Sequence, residues 1–422
     1  MKALYSLGVI FFGISIRIAS LFNSKAKLWV SGRKNLFEKL ESYFKNNNSK
    51  IAWFHCASLG EFEQGRPIIE EFKKRNSDFK ILLTFFSPSG YEVRKKFPGA
   101  DFVCYLPLDT VANAKRLVEL INPTIVYFVK YEFWLNFLFE FRKRKIPHFL
   151  VSAVFREDQI FFKPYGKIFC DALKGFSFIF TQESKSLDLL NSIGITKSAV
   201  AGDTRFDRVA DIAINSTAIP IAKSFAGDSQ KVIVAGSTWV TDEEKLVPAI
   251  KGMLARGWKL LIAPHELGEA HLISIEKELH KIGIQGNEII RFSIANEQLA
   301  NTKKVLIVDN IGMLSSLYAY GKIAYIGGGF GKSIHNILEA AVFGMPIIFG
   351  PKFEKFIEAK QLISIGAAIT VNNEIELKNT LEKFEEDEEL RLRLASKAHD
   401  YIQNNRGATE LIFKKSSLFI NH

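Results

Sequence analysis

Short apolar runs separated by stretches of helical spacing recur along most of the chain, and this alternation restricts the fold more than any other feature. The runs occupy residues 51–54, 81–85, 102–105, 124–129, 149–154 and 176–180, then, after a gap, 232–235, 260–263, 305–308, 323–326 and 347–349. Runs this short, with helical patterns between most of them, predict parallel strands covered by helices on both faces. The gap at residues 211–230 has no strong periodicity, so the domain boundary is placed there. With 422 residues, 47% of them hydrophobic, the chain is too long for one ordinary domain and apolar enough to fill two cores. The expectation is α/β throughout: a first doubly wound domain over 25–213 and a second over 214–405. Residues 1–24 precede them, and the segment 406–422 is apolar enough to pack back on the first domain.

The most distinctive local pattern is IAYIGGGFGKSIHNILEAAVFGMPIIFG, residues 323–350. An apolar run stops at Gly327, Gly328 and Gly329, helical spacing resumes through Ile337, Leu338 and Ala341, and Phe343 and Gly344 close it. A glycine turn lets successive N–H groups converge on an anion, and a following helix would present its positive end to the same place. Gly331, Lys332 and Ser333 do not complete a Walker loop, because Ile326 stands where that motif needs glycine. The dinucleotide fingerprint fails because Lys332 stands at its last glycine. What remains is His335, Asn336 and Glu339 at three- and four-residue spacing, able to share one helix face toward a ligand. The alternative is that Ser333 or Asn336 caps the helix and Glu339 is solvated.

Open α/β sheets bind ligands beyond the carboxyl ends of their strands. After the run at 51–54 comes Glu61, either a general base or a first-turn residue favoured by the helix dipole. After 124–129 comes Glu132, either a second site carboxylate or an ion-paired cap. Arg205 lies in the GDTRFD stretch, Ser237 and Thr238 follow the first strand of the second domain, and His265 and Glu266 follow 260–263. Hydroxyls and backbone N–H groups in such loops suit phosphate, although ordinary turns carry the same residues. No H-E-x-x-H, D-x-D or cysteine cluster is present, so no catalytic metal is indicated. Cys56, Cys104 and Cys170 form no C-x-x-C pair and suit a reducing compartment.

The charge of +11 is concentrated at the start: residues 1–50 hold nine Lys or Arg against Glu38 and Glu41. Between Ala3 and Ile16 the only ionisable side chain is Tyr5. This apolar stretch is shorter than the roughly 20 residues of a standard span and reads as a membrane-associated helix, lying on the bilayer or anchored in it. Lys25, Lys27, Arg33 and Lys34 would meet anionic headgroups on the cytoplasmic side. Nucleic acid is the rival partner for such charge, but no recurring aromatic and basic platform supports it.

Taken in order, SLGE at 58–61, EFWLN at 132–136, GDTRFDR at 202–208, GST at 236–238 and the glycine stretch resemble the 3-deoxy-D-manno-octulosonic acid (Kdo) transferases over nearly the whole chain. The resemblance implies a GT-B fold, two Rossmann-like domains facing a cleft, with an amino-terminal membrane helix. It implies CMP-Kdo as donor, the lipid A precursor (lipid IVA) as acceptor, no cofactor, no nucleic acid partner, and the cytoplasmic face of the inner membrane in lipopolysaccharide synthesis. Carried over position by position, Glu61 is the catalytic base and Glu132 a second essential acid. Asn336 and Glu339 bind the cytidine ribose side of the donor, and Gly328, Gly329, Ser237 and Thr238 cradle its phosphate. Inverting direct displacement without a metal follows from the same resemblance. The chain departs from it twice: Arg205 stands where many members have lysine, and Pro264-His265-Glu266 stands where many have P-R-H, making His265 the candidate substitute. Two other readings keep the fold: a glycosyltransferase that uses a UDP-sugar on a membrane lipid, and a non-catalytic lipid-binding protein.

Overall fold

The computed structural model describes residues 2–45, 47–130, 133–228 and 231–420. It divides into two compact units, residues 1–207 with 406–422, and residues 208–405.

The first unit is built on seven parallel strands: β1 (Lys50–Cys56), β2 (Phe79–Phe85), β3 (Phe102–Tyr105), β4 (Ile125–Val129), β5 (His148–Ala153), β6 (Phe178–Thr181) and β7 (Ser198–Val200), in the order β3-β2-β1-β4-β5-β6-β7. Alternate residues of each central strand face opposite sides, as the pleat requires. Trp53, Leu82, Val126, Phe128 and Leu150 join one core. Ala52, Phe54, Ile81, Tyr127 and Phe149 join the other. Burial on both faces is why these strands read as continuous apolar runs. The carboxyl-terminal helix Ala408–Ser416 covers the second face with Ile412 and Phe413, and Tyr127 donates to Ser416 Oγ at 2.8 Å.

Three helices precede β1: α1 (Lys2–Ala19), α2 (Ser24–Ser31) and α3 (Leu36–Phe44). Among the described residues, α1 alone is long and apolar enough to cross a membrane. Only Val9 and Gly13 of it are buried; Leu4, Leu7, Phe11 and Ile18 project outward, as do Leu21 and Phe22 in the turn that follows. Along its inner side Lys2 lies over Phe139, Phe12 meets Trp29 and Phe86, and the Tyr5 hydroxyl donates to the buried Asp109 at 2.6 Å. Arg33 corrects one expectation. Its guanidinium donates to the carbonyls of Leu106, Trp29 and Phe86 and lies over the Trp29 ring, 3.6 Å from its centroid, so it cannot meet headgroups. Burial lowers its pKa to about 9, which leaves it charged at neutral pH.

The second unit has its own seven parallel strands: β8 (Val232–Thr238), β9 (Lys259–Pro264), β10 (Ile289–Arg291), β11 (Val305–Ile307), β12 (Ile323–Ile326), β13 (Ile347–Phe349) and β14 (Ala368–Thr370), in the order β10-β11-β9-β8-β12-β13-β14. The stretch between the two sheets, without clear periodicity in sequence, carries the helices Arg205–Ile214 and Pro220–Ala226.

In both sheets the first strand of the unit is interior, with β2 or β9 on one side and β4 or β12 on the other; in the second sheet the chain passes from β9 to the edge strand β10 and returns to place β11 between them. The order therefore reverses between β1 and β4, and between β8 and β12. At such switch points the loops leaving the two strands part in opposite directions and open a crevice.

Candidate active site

Glu61 sits in the first turn of α4 (Leu59–Arg75), the helix entered directly from β1. Its carboxylate turns back toward the helix start and accepts the Ala57 N–H at 2.5 Å, while the side chain stays partly exposed. It thus satisfies a backbone amide just before the helix start and lies just beyond the carboxyl end of β1. Glu132 follows β4, the other strand of this switch point, but with Tyr131 it lies outside the described residues. On the strand side of that loop Lys130 is held at φ 71°, a left-handed conformation that side chains rarely adopt.

Past Glu132 the loop is clamped by two buried groups. Asp109, fully buried, accepts the N–H groups of Asn136 and Phe137 at 3.0 and 3.1 Å, capping the helix Leu135–Lys143. Trp134 donates its indole N–H to His55 Nε2 at 3.1 Å, and His55 Nδ1 meets Thr84 Oγ1 at 2.8 Å. Burial raises the Asp109 carboxyl to about 6, against the pull of its three donors.

At the second switch point the glycine turn packs backbone to backbone. A Cβ on Gly327 would lie 2.2 Å from the Ser237 carbonyl oxygen, and one on Gly329 would lie 2.6 Å from Gly350 N. Ser237 itself is held at φ 55°, where β8 slips register against β9. The turn is anchored by a residue not recognised in the sequence. Asp242, fully buried, accepts the N–H of Gly328 at 2.7 Å, the N–H of Trp239 at 3.0 Å and the hydroxyl of Tyr325 at 3.0 Å.

These contacts change the reading of three expected donor residues. The Gly328 amide is already committed to Asp242, so this glycine supplies a φ of 92° and a surface without Cβ rather than a spare donor. Thr238 is fully buried and gives its hydroxyl proton to Glu243 at 2.8 Å, so it has none to offer a phosphate. Arg205 belongs to the first unit, where its guanidinium pairs with Asp203 at 2.7 Å.

Asn336 and Glu339 do come together: Asn336 Nδ2 donates to Glu339 Oε1 at 2.9 Å, and Asn336 Oδ1 accepts the Leu338 N–H at 3.2 Å. The helix they were expected to share is a single turn, Leu338–Ala341. The cause is tertiary. The Ile334 N–H is taken by the Lys352 carbonyl and the His335 N–H by the Gly327 carbonyl, which leaves residues 331–337 irregular. A one-turn helix brings little dipole and so contributes little to attracting an anion. His265 stacks on Trp239 and on His335, with centroids 4.5 and 4.4 Å away. Desolvation lowers the pKa of both histidines, that of His335 to about 4.

A family model described as 3-deoxy-D-manno-octulosonic-acid transferase (kdotransferase) matches residues 34–208. The 3-deoxy-D-manno-octulosonic acid transferase of Aquifex aeolicus (strain VF5) is 30% identical over 350 residues, covering 81% of this chain and 89% of that protein. The chain belongs to the Kdo transferase family. It is a glycosyltransferase, and the group it transfers is Kdo. The 3-deoxy-D-manno-octulosonic acid transferase of Chlamydia pneumoniae is 27% identical over 342 residues, covering 77% of this chain and 75% of the relative. Among solved structures, UDP-GlcNAc 2-epimerase from Neisseria meningitidis bound to UDP-GlcNAc superposes with a TM-score of 0.58 at 17% identity, covering 86% and 98% of the two chains. MurG from Acinetobacter baumannii superposes with 0.53 at 13% identity, covering 87% and 98%. At such identities these two inform on the fold alone, and the Kdo transferase fold is GT-B, with two Rossmann-like units.

Proposed function

We propose that this Kdo transferase takes Kdo from CMP-Kdo and attaches it to the lipid A precursor, lipid IVA. The observation that carries the reading is the setting of Glu61, a partly exposed carboxylate just beyond the carboxyl end of β1, where the strand order of its sheet reverses. As the acceptor sugar hydroxyl attacks the Kdo anomeric carbon, its proton passes to Glu61. The new C–O bond forms while the bond from the anomeric carbon to the phosphate oxygen breaks, and CMP departs as a phosphate monoester. Attack opposite the leaving group inverts the anomeric centre. Glu132 is the proposed second acid, orienting the acceptor.

The donor is assigned to the second unit. Glu339, held by Asn336, is suited to accept hydrogen bonds from the ribose hydroxyls. Gly328, Gly329 and Ser237 shape the phosphate seat, with Thr238 and its Glu243 bond behind it, and His265 completes the proposed donor residues of this unit. Donors aimed at the departing phosphate stabilise the charge that develops on it.

The outward apolar side of α1 supports membrane association, proposed at the cytoplasmic face of the inner membrane, where the lipid acceptor would be met. Lys25, Lys27 and Lys34 are the basic residues proposed to face anionic headgroups. The deciding experiment is mass spectrometry of lipid A precursor incubated with CMP-Kdo and, separately, with UDP-sugars. A mass gain from CMP-Kdo is expected, and transfer from UDP-sugars alone would overturn the reading. Glu61→Gln should abolish transfer and leave CMP binding near normal; full activity in that variant would remove Glu61 as the base.

A further inference from the structure

Three rings from three strand ends meet at the second switch point. Trp239 follows β8, His265 follows β9, and His335 lies in the loop after β12. The indole Nε1–H of Trp239 donates to His335 Nε2 at 2.9 Å. Those two rings lie within 13° of parallel with centroids 6.3 Å apart, side by side in one layer, and His265 stacks across both. The His335 backbone N–H is bound to the Gly327 carbonyl, and a Cβ on Gly328 would come within 3.1 Å of the imidazole, so the ring lies directly against the glycine turn.

An indole N–H can only donate, so His335 Nε2 must present a lone pair. The ring then carries its proton on Nδ1. Desolvation and the neighbouring His265 keep it uncharged at neutral pH. Among the described residues Nδ1 meets no protein acceptor, and the side chain is only partly buried. The site therefore holds a pre-oriented, neutral N–H donor beside the turn proposed to seat a phosphate.

We infer that Trp239 is a positioning residue that fixes His335 as a neutral Nδ1–H donor to a phosphate oxygen of the nucleotide-sugar donor. The inference rests on the reading that the second unit binds a nucleotide. A donor whose tautomer and ring plane are set in advance needs no reorganisation as charge moves onto the leaving phosphate, so its effect falls on kcat.

Three measurements on the full-length enzyme test it. Long-range 15N NMR of histidine-labelled protein should show His335 protonated at Nδ1 and not at Nε2, and CMP should shift the Nδ1 resonance. An Nε2–H tautomer or an imidazolium at pH 7 would overturn the inference. His335→Asn keeps an amide donor near the Nδ1 position, whereas His335→Gln moves it to the Nε2 position. The Gln variant should lose about 100-fold or more in kcat and the Asn variant about 10-fold or less; equal losses would refute the assigned geometry. Trp239→Phe keeps an aromatic ring but frees the tautomer, and should lower kcat about 10-fold with little change in KM; an unchanged kcat would refute its role. Calorimetry with CMP separates the two levels. Failure of the wild type to bind CMP rejects the nucleotide reading, whereas CMP binding that leaves the His335 resonances unmoved rejects this inference alone.

Discussion

Replacing Tyr5 by phenylalanine removes one oxygen from a buried cluster that ties α1 to the loop after β4. The hydroxyl donates to Asp109 at 2.6 Å and accepts the Leu135 N–H at 3.3 Å, while Asp109 also holds the N–H groups of Asn136 and Phe137. Burial raises the Asp109 carboxyl from 3.8 to about 6 despite these donors. A gap of that size makes the ionised form cost about 3 kcal/mol relative to the unfolded chain. The sign follows from the direction. A carboxyl whose folded pKa is raised contributes fully below its unfolded value, near pH 4, and that contribution is lost as pH rises through about 6. Tyr5 offsets part of the loss by stabilising the carboxylate, so Tyr5→Phe pushes the pKa further up and acts chiefly when Asp109 is ionised. A hydrogen bond to a charged group contributes about 1.5–3 kcal/mol. Taking about 2 kcal/mol, a unit of this size should lose roughly 4–8 °C in Tm at pH 8, and less than half of that at pH 5. Thermal unfolding of both proteins in detergent, followed by intrinsic fluorescence at the two pH values, measures the difference. A shift below 1 °C at pH 8, or an equal or larger shift at pH 5, would refute the assignment of Asp109 as a buried carboxylate held by Tyr5.

Asp242→Asn keeps the volume but replaces one acceptor oxygen with an amide that must face a donor, so the glycine turn should loosen; KM for the nucleotide sugar should rise about 10-fold or more, and unchanged steady-state kinetics would show that the turn holds without it. Deleting residues 2–22 should move the protein from the membrane pellet to the soluble fraction on centrifugation, because α1 carries most of the exposed apolar side chains of the amino-terminal region; unchanged sedimentation would assign membrane attachment elsewhere.

Much of the fold was legible because central parallel strands are buried on both faces and cannot avoid apolar runs. Phe102–Tyr105, Ile323–Ile326 and Ile347–Phe349 are strands over the same residues as their runs. Ser198–Val200, Ile289–Arg291 and Ala368–Thr370 escaped notice as strands, and all three are three-residue edge strands that pair on one side only. The one-turn helix after the glycine turn was misjudged for a different reason. Residues 333–337 have helical spacing, but the amides of Ile334 and His335 find partners on Lys352 and Gly327 instead. In the candidate site, Glu61 is legible because it adjoins a strand end, and Asn336 and Glu339 because they follow the glycine turn at helical spacing. Asp242, Trp239 and Asp109 are not, since an acid or a tryptophan beside a helix start reads as a local feature.

Strand against helix, two cores, an apolar amino terminus and the glycine turn are all encoded within short windows of chain. Only the tertiary structure decided which strand is central, and hence that Glu61 and the GST-to-glycine pair each stand at a switch point. It also decided the contacts that hold the site. Tyr5 and Asp109 are 104 positions apart, Asp242 and Gly328 are 86 apart, and Trp239 and His335 are 96 apart. The physical reason is range. Periodicity follows from local backbone geometry, whereas a buried hydrogen bond depends on which distant group shares the same dry volume, and that is specified only when the whole unit has packed.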